Sequence, residues 1–133
     1  MPYLHVKLCA PRSEDASNRI AAALTNLTAE ILRKKRELIA VTLEYVPPEL
    51  WFIGGAQFMG ETLKSFCLEV NITEGTNTKD EKALYVSRVF ADIQAIIGPL
   101  APASYVILHD VRADSWGFQG RTQEFRYVQA NAL

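Results

Sequence analysis

Two hydrophobic rhythms alternate along the chain. Four short runs rich in apolar and β-branched residues, "YLHVKL" (3–8), "LIAVTLEYV" (38–46), "FCLEVNI" (66–72) and "SYVILHDV" (104–111), predict β-strands. Between the members of each pair, apolar residues recur instead at helical spacing. Ser13 is placed to cap the first helix, with Glu14 and Asp15 in its first turn and Ile20, Leu24, Leu27 and Ile31 on one face. Its end is expected within 33–36. In the second, Thr78 and Glu81 have capping-box spacing, Val86, Val89, Phe90, Ile93 and Ile97 form the apolar face, and Gly98 and Pro99 stop it.

The second half repeats the first. "VTLEYVPPELWFIGGAQ" (41–57) aligns without a gap on "VILHDVRADSWGFQGRT" (106–122), pairing Val41 with Val106, Leu43 with Leu108, Trp51 with Trp116 and Gly55 with Gly120. The chain therefore reads as one domain of two β-α-β repeats, about 2–60 and 64–127. This is an α+β fold with a four-stranded sheet and both helices on one face. Apolar residues at both parities of the second strands predict that the other face is apolar and covered, so copies of the chain are expected to pack sheet to sheet.

Composition narrows the classes. At 133 residues with a net charge of -1, the chain is the size of one compact domain and has no charged tail. No run approaches the ~20 apolar residues that span a bilayer, and no secretion signal opens it, so the expectation is a cytoplasmic protein without membrane partners. Cys9 and Cys67 lack metal-ligand spacing and are expected as reduced core thiols; His5 and His109 stand alone on strands. Neither metal nor cofactor is expected. The basic block "RKKRE" (33–37) suits a helix end, and no basic patch interleaved with aromatics suggests nucleic acid.

Pro2 heads the first strand. A proline behind the initiator is unremarkable by itself, but removal of Met1 would make it an N-terminal secondary amine. A free α-amino group has a pKa of about 8, and nearby cations disfavour its protonated form, so its neutral form becomes available as a base. The ring fixes the direction of the nitrogen.

The residues resemble the tautomerase superfamily, over nearly the whole chain. "PYLHVKLCAPRSED" (2–15) is similar to the opening of 4-oxalocrotonate tautomerase, "WFIGG" (51–55) and "WGFQGRTQ" (116–123) to the aromatic-then-glycine hairpin that closes each unit, and "IAV" and "PR" echo the macrophage migration inhibitory factor branch. The resemblance implies a cofactor-independent keto–enol tautomerase acting on a small 2-oxo acid. It implies Pro2 as general base and acid, Arg12 as the carboxylate's bidentate partner, and a homotrimer. It offers Trp51 and Trp116 as pocket walls, where each is otherwise a packed hairpin aromatic, and Tyr105 as a hydroxyl lining the pocket. Arg121, Arg126 and Lys34 are weaker candidates. The chain also departs from the pattern: Ala40 stands where dicarboxylate-specific members carry a second arginine, "EGTNT" (74–78) replaces an arginine pair, and Phe66 stands where a second proline would. These departures point to a monocarboxylate. The alternative is a non-catalytic ligand-binding or regulatory module, either of this fold or of the ferredoxin-like type.

Overall fold

A computed structural model describes residues 2–58 and 62–131. Met1 and the junction near residue 60 lie outside them. The first half runs β1 (Tyr3–Cys9), α1 (Glu14–Glu30), β2 (Ala40–Tyr45), β3 (Phe52–Ile53) and β4 (Ala56–Gln57). The second runs β5 (Ser65–Thr73), α2 (Lys79–Ile97), β6 (Tyr105–Val111), β7 (Gly117–Phe118), β8 (Arg121–Thr122) and α3 (Gln123–Ala130).

Both helix starts follow their expected caps: Ser13 Oγ accepts from the Ala16 amide, and Thr78 and Glu81 close a reciprocal capping box. The sheet order is β2-β1-β5-β6, with β1 parallel to β2, β5 parallel to β6, and β1 antiparallel to β5. Each half thus pairs its own strands in parallel, which sets aside the ferredoxin-like alternative, in which the sheet is antiparallel. Alternation sends Leu4, Val6 and Leu8 of β1 and Phe66, Leu68, Val70 and Ile72 of β5 to one face. There they meet Ile20, Leu24 and Leu27 of α1 and Tyr85, Val89 and Ile93 of α2 in one cluster, each full side-chain burial contributing roughly 1.5–3 kcal/mol.

Three expectations need correcting. Helix α1 ends at Glu30 rather than within 33–36, because the chain then turns through Arg33 in the left-handed region (φ 58°). On α2 the fully buried stripe is Tyr85, Val89 and Ile93, spaced i, i+4, i+8, and Val86 is exposed. The open sheet face is mostly polar rather than apolar: Tyr3 bonds Thr42 at 2.9 Å, and His5 and His109 lie 3.3 Å from Glu44 and Glu69. Alternation explains this, since Val41, Leu43, Val106 and Leu108 pack toward the helices, leaving Ile107 beside Glu69 as an apolar residue on the open face. Cys67 is half-buried on that face, whereas Cys9 is in the core; both thiols are free.

The two hairpins turn alike. Gly54 and Gly55 have φ of 64° and 80°, Gln119 and Gly120 of 55° and 76°, which is the two-residue, double-positive turn that matches the twist of paired strands. Among the described residues, no helix is long and apolar enough to cross a membrane, and no three or more His, Cys, Asp or Glu side chains gather to hold a metal.

Candidate active site

Pro2 lies just ahead of β1, buried, with its carbonyl accepting from the Ala40 amide at 3.4 Å. It lines a recess of about 260 Å³ together with Arg33, Lys34, Lys35, Leu38, Gln123 and Arg126. The basic segment after α1 is anchored by its own polar bonds. Arg33 pairs with Glu81 at 2.7 and 3.3 Å, tying the exit of α1 to the start of α2. Lys34 Nζ donates to Thr76 Oγ1 at 2.8 Å; burial, and secondarily the Arg33 charge, push its pKa below that of an ordinary amine. The Lys35 carbonyl accepts from the Leu38 amide at 3.0 Å, while its side chain makes no hydrogen bond or ion pair among the described residues.

The opposite wall comes from α3, at the other end of the chain. Thr122 caps this helix through the Phe125 amide at 3.0 Å, while the amides of Gln123 and Glu124 donate to the carbonyls of Trp116 (3.0 Å) and Ala113 (2.9 Å). Those bonds orient Gln123 and Arg126, one turn apart, over Pro2. The Arg126 guanidinium carbon lies 4.1 Å from the Phe118 ring centroid, and among the described residues its N–H groups have no hydrogen-bond or ion-pair partner, which leaves them available to an anion. A second chamber of about 480 Å³, reaching Thr73, Gly75 and Tyr127, shares Lys34 and Gln123 with the recess. The Gln123 Nε2 is buried and has no hydrogen-bond partner. Among the described residues, four cationic side chains, Arg33 of them paired with Glu81, and no carboxylate line the recess, an arrangement suited to a small anion.

The structure divides the residues singled out from the sequence between two ends of the sheet. Pro2 lies at one end, with Lys34 and Arg126 beside it. Trp116 is at the same end but lines a separate cavity of about 470 Å³ within its own hairpin, and its Nε1 is buried without a partner. Arg12 is exposed beyond the far end of β1, which at about 3.3 Å per residue places it over ~20 Å from Pro2 of the same chain. Tyr105, level with Lys7 through Cys67, and Trp51, beyond the end of β2, also lie toward that far end. Arg121 covers Phe125 on the second hairpin. Lys35 and Gln123 were not among the expected residues. The signal for Gln123 was present, since Thr122 followed by Glu124 and an apolar Phe125 and Val128 is a capped amphipathic turn.

Residues 2–59 match the family model of tautomerase enzymes. That segment is the first β-α-β unit with its hairpin, and the second unit repeats its plan. The chain is similar to the F6 fused 4-OT (4-oxalocrotonate tautomerase) wild-type asymmetric trimer, with 18% identity, a TM-score of 0.81 and coverage of 93% of this chain and 98% of that one. It is similar also to native fused 4-OT (19% identity, TM-score 0.78, coverage 92% and 97%) and to a macrophage migration inhibitory factor-like protein from Entamoeba histolytica (17%, 0.75, 91% and 97%). No curated protein matches it in sequence.

Proposed function

We propose that the protein is a cofactor-independent tautomerase that interconverts the enol and keto forms of a small 2-oxo acid, with the Pro2 nitrogen carrying the proton once Met1 is removed. The observation that carries this reading is the position of Pro2 in a recess walled by Arg33, Lys34, Lys35 and Arg126, with no carboxylate among its described lining residues. Such cations attract the substrate carboxylate and disfavour the prolinium, so the neutral amine is available near neutral pH. Pro2 takes the enol hydroxyl proton, the freed pair forms the C2 carbonyl, and the C2–C3 pair takes the proton back from the prolinium at C3. Hydrogen is relocated and nothing else is consumed.

The chain also assembles as a homotrimer on this reading, as the F6 and Q0 fused 4-OT neighbours do. In a head-to-tail ring the Arg12 end of one copy meets the Pro2 end of the next, so Arg12, Trp51 and Tyr105 serve a neighbour's site. The substrate expectation changes as well: Ala40 removes one cation, yet Lys35 and Arg126 supply two others, so a second carboxylate is no longer disfavoured.

Three measurements test the proposal. Intact mass should show a chain without Met1. Incubation with 2-oxo-3-pentynoate, which inactivates the structural neighbour Pt0534, should add one reagent at Pro2. Ketonisation of phenylenolpyruvate and 2-hydroxymuconate should fall about 10²–10⁴-fold in Pro2→Ala, the usual contribution of a positioned acid–base group. A Pro2→Ala variant as active as the wild type, or an active protein that retains Met1, would refute the assignment.

A further inference from the structure

The Gln123 amide is the least explained polar group at the site. It sits where the recess and the second chamber join, and its Nε2 is buried with no protein acceptor. Leaving such a donor unmet costs on the order of 1–3 kcal/mol, and buried amides in native proteins are seldom left so. The cost is recovered when the side chain turns to meet an oxygen of a ligand in the recess, which Gln123 already lines. Arg126, three residues on and on the same helix face, sits over the Phe118 ring, with no hydrogen-bond or ion-pair partner among the described residues. Thr122, Trp116 and Ala113 fix the helix that carries both.

We infer that Gln123 and Arg126 form the substrate-holding pair of the recess, a deepening of the tautomerase reading and dependent on it. Arg126 binds the C1 carboxylate through paired N–H donors, and Gln123 Nε2–H donates to the oxygen on C2. That oxygen is a hydroxyl in the enol, gains negative charge as Pro2 removes its proton, and becomes a carbonyl as C3 is protonated. A neutral donor in that wall stabilises the charged stage more than either neutral form, so Gln123 acts mainly on the chemical step. Arg126 meets a carboxylate that is charged throughout, so it acts mainly on binding.

The two roles predict opposite kinetic signatures with phenylenolpyruvate and the processed full-length protein. Gln123→Leu should lower kcat about 10²-fold, as removal of one oxyanion donor does, with KM little changed. Gln123→Glu, nearly the same shape, should be impaired at least as much because its charge opposes the developing oxyanion; it carries the test should the leucine variant not fold. Arg126→Met should raise KM about tenfold or more with a smaller effect on kcat. Labelling of Pro2 in both Gln123 variants would show the amine intact. If the wild type ketonises the substrate and both folded Gln123 variants retain its kcat, this inference is wrong while the tautomerase reading stands. An inactive wild type with unlabelled Pro2 overturns both.

Discussion

Thr28 and Tyr85, each fully buried, meet between the two helices, and the direction of their hydrogen bond decides what each is worth. The Thr28 hydroxyl donates to the Leu24 carbonyl at 2.7 Å, so its oxygen is the acceptor for Tyr85 Oη at 2.8 Å. Burial raises the Tyr85 pKa to about 12, so the phenol stays protonated and remains a donor. Tyr85→Phe removes that donor and leaves Thr28 still bonded to Leu24, at a cost of about 1 kcal/mol. Thr28→Val strands the phenolic hydroxyl in the core and should cost about 1–3 kcal/mol. Urea denaturation of the two variants should rank them in that order; equal losses would mean water reaches Tyr85. Neither residue stood out in the sequence, because a tyrosine on an apolar helix stripe and a mid-helix threonine carry no local mark of being paired across 57 positions. Pro2 was different. The chemistry proposed for it rests on the residue type and its place in the chain, and both are visible before any fold exists.

Among the elements, the start of α2 concentrates the polar bonding. Glu81 receives the Arg33 guanidinium, the Thr78 amide and the Asn77 side chain, and this set, Arg33 foremost, holds its pKa down at about 2. The sign follows directly: a carboxylate with a folded pKa below its unfolded value of about 4.3 stabilises the fold above that value and loses the contribution as pH falls toward 2. Stability curves of the wild type and Glu81→Gln should therefore lie apart at pH 6 and converge between pH 4.5 and 2. Parallel curves would show the pair to be inert. The capping box itself was legible, since Thr78 and Glu81 are three residues apart. Its link to Arg33 was not: an exit turn in left-handed backbone, 48 residues away, depends on how α1 and α2 pack. The place of α3 was hidden for a related reason. Its cap and apolar residues were visible, but none of its residues is fully buried, and it is held by backbone bonds to the preceding loop.

For the whole molecule, the repeat made the topology readable. Two gapless hairpins and two strand–helix–strand passages leave few ways to join a four-stranded sheet. The site was less readable, because its walls come from the first and last thirds of the sequence, and the residues that resemblance points to occupy opposite ends of one chain. On the trimeric reading, Pro2→Ala and Arg12→Ala damage different sites of the ring. Each variant alone should be nearly inactive, while trimers assembled from an equal mixture should regain roughly a quarter of the activity by random assortment around a head-to-tail ring. Failure to recover any activity would place Arg12 outside the site or show that the copies do not share it.

The meeting of Pro2 with α3 has a practical side. On the proposed reading, anything fused ahead of the first strand would turn the Pro2 amine into an amide, and anything fused behind the last helix would be delivered to the same mouth from across the sequence. Preparations bearing purification handles at either terminus would then report the handle's interference as much as the protein's competence.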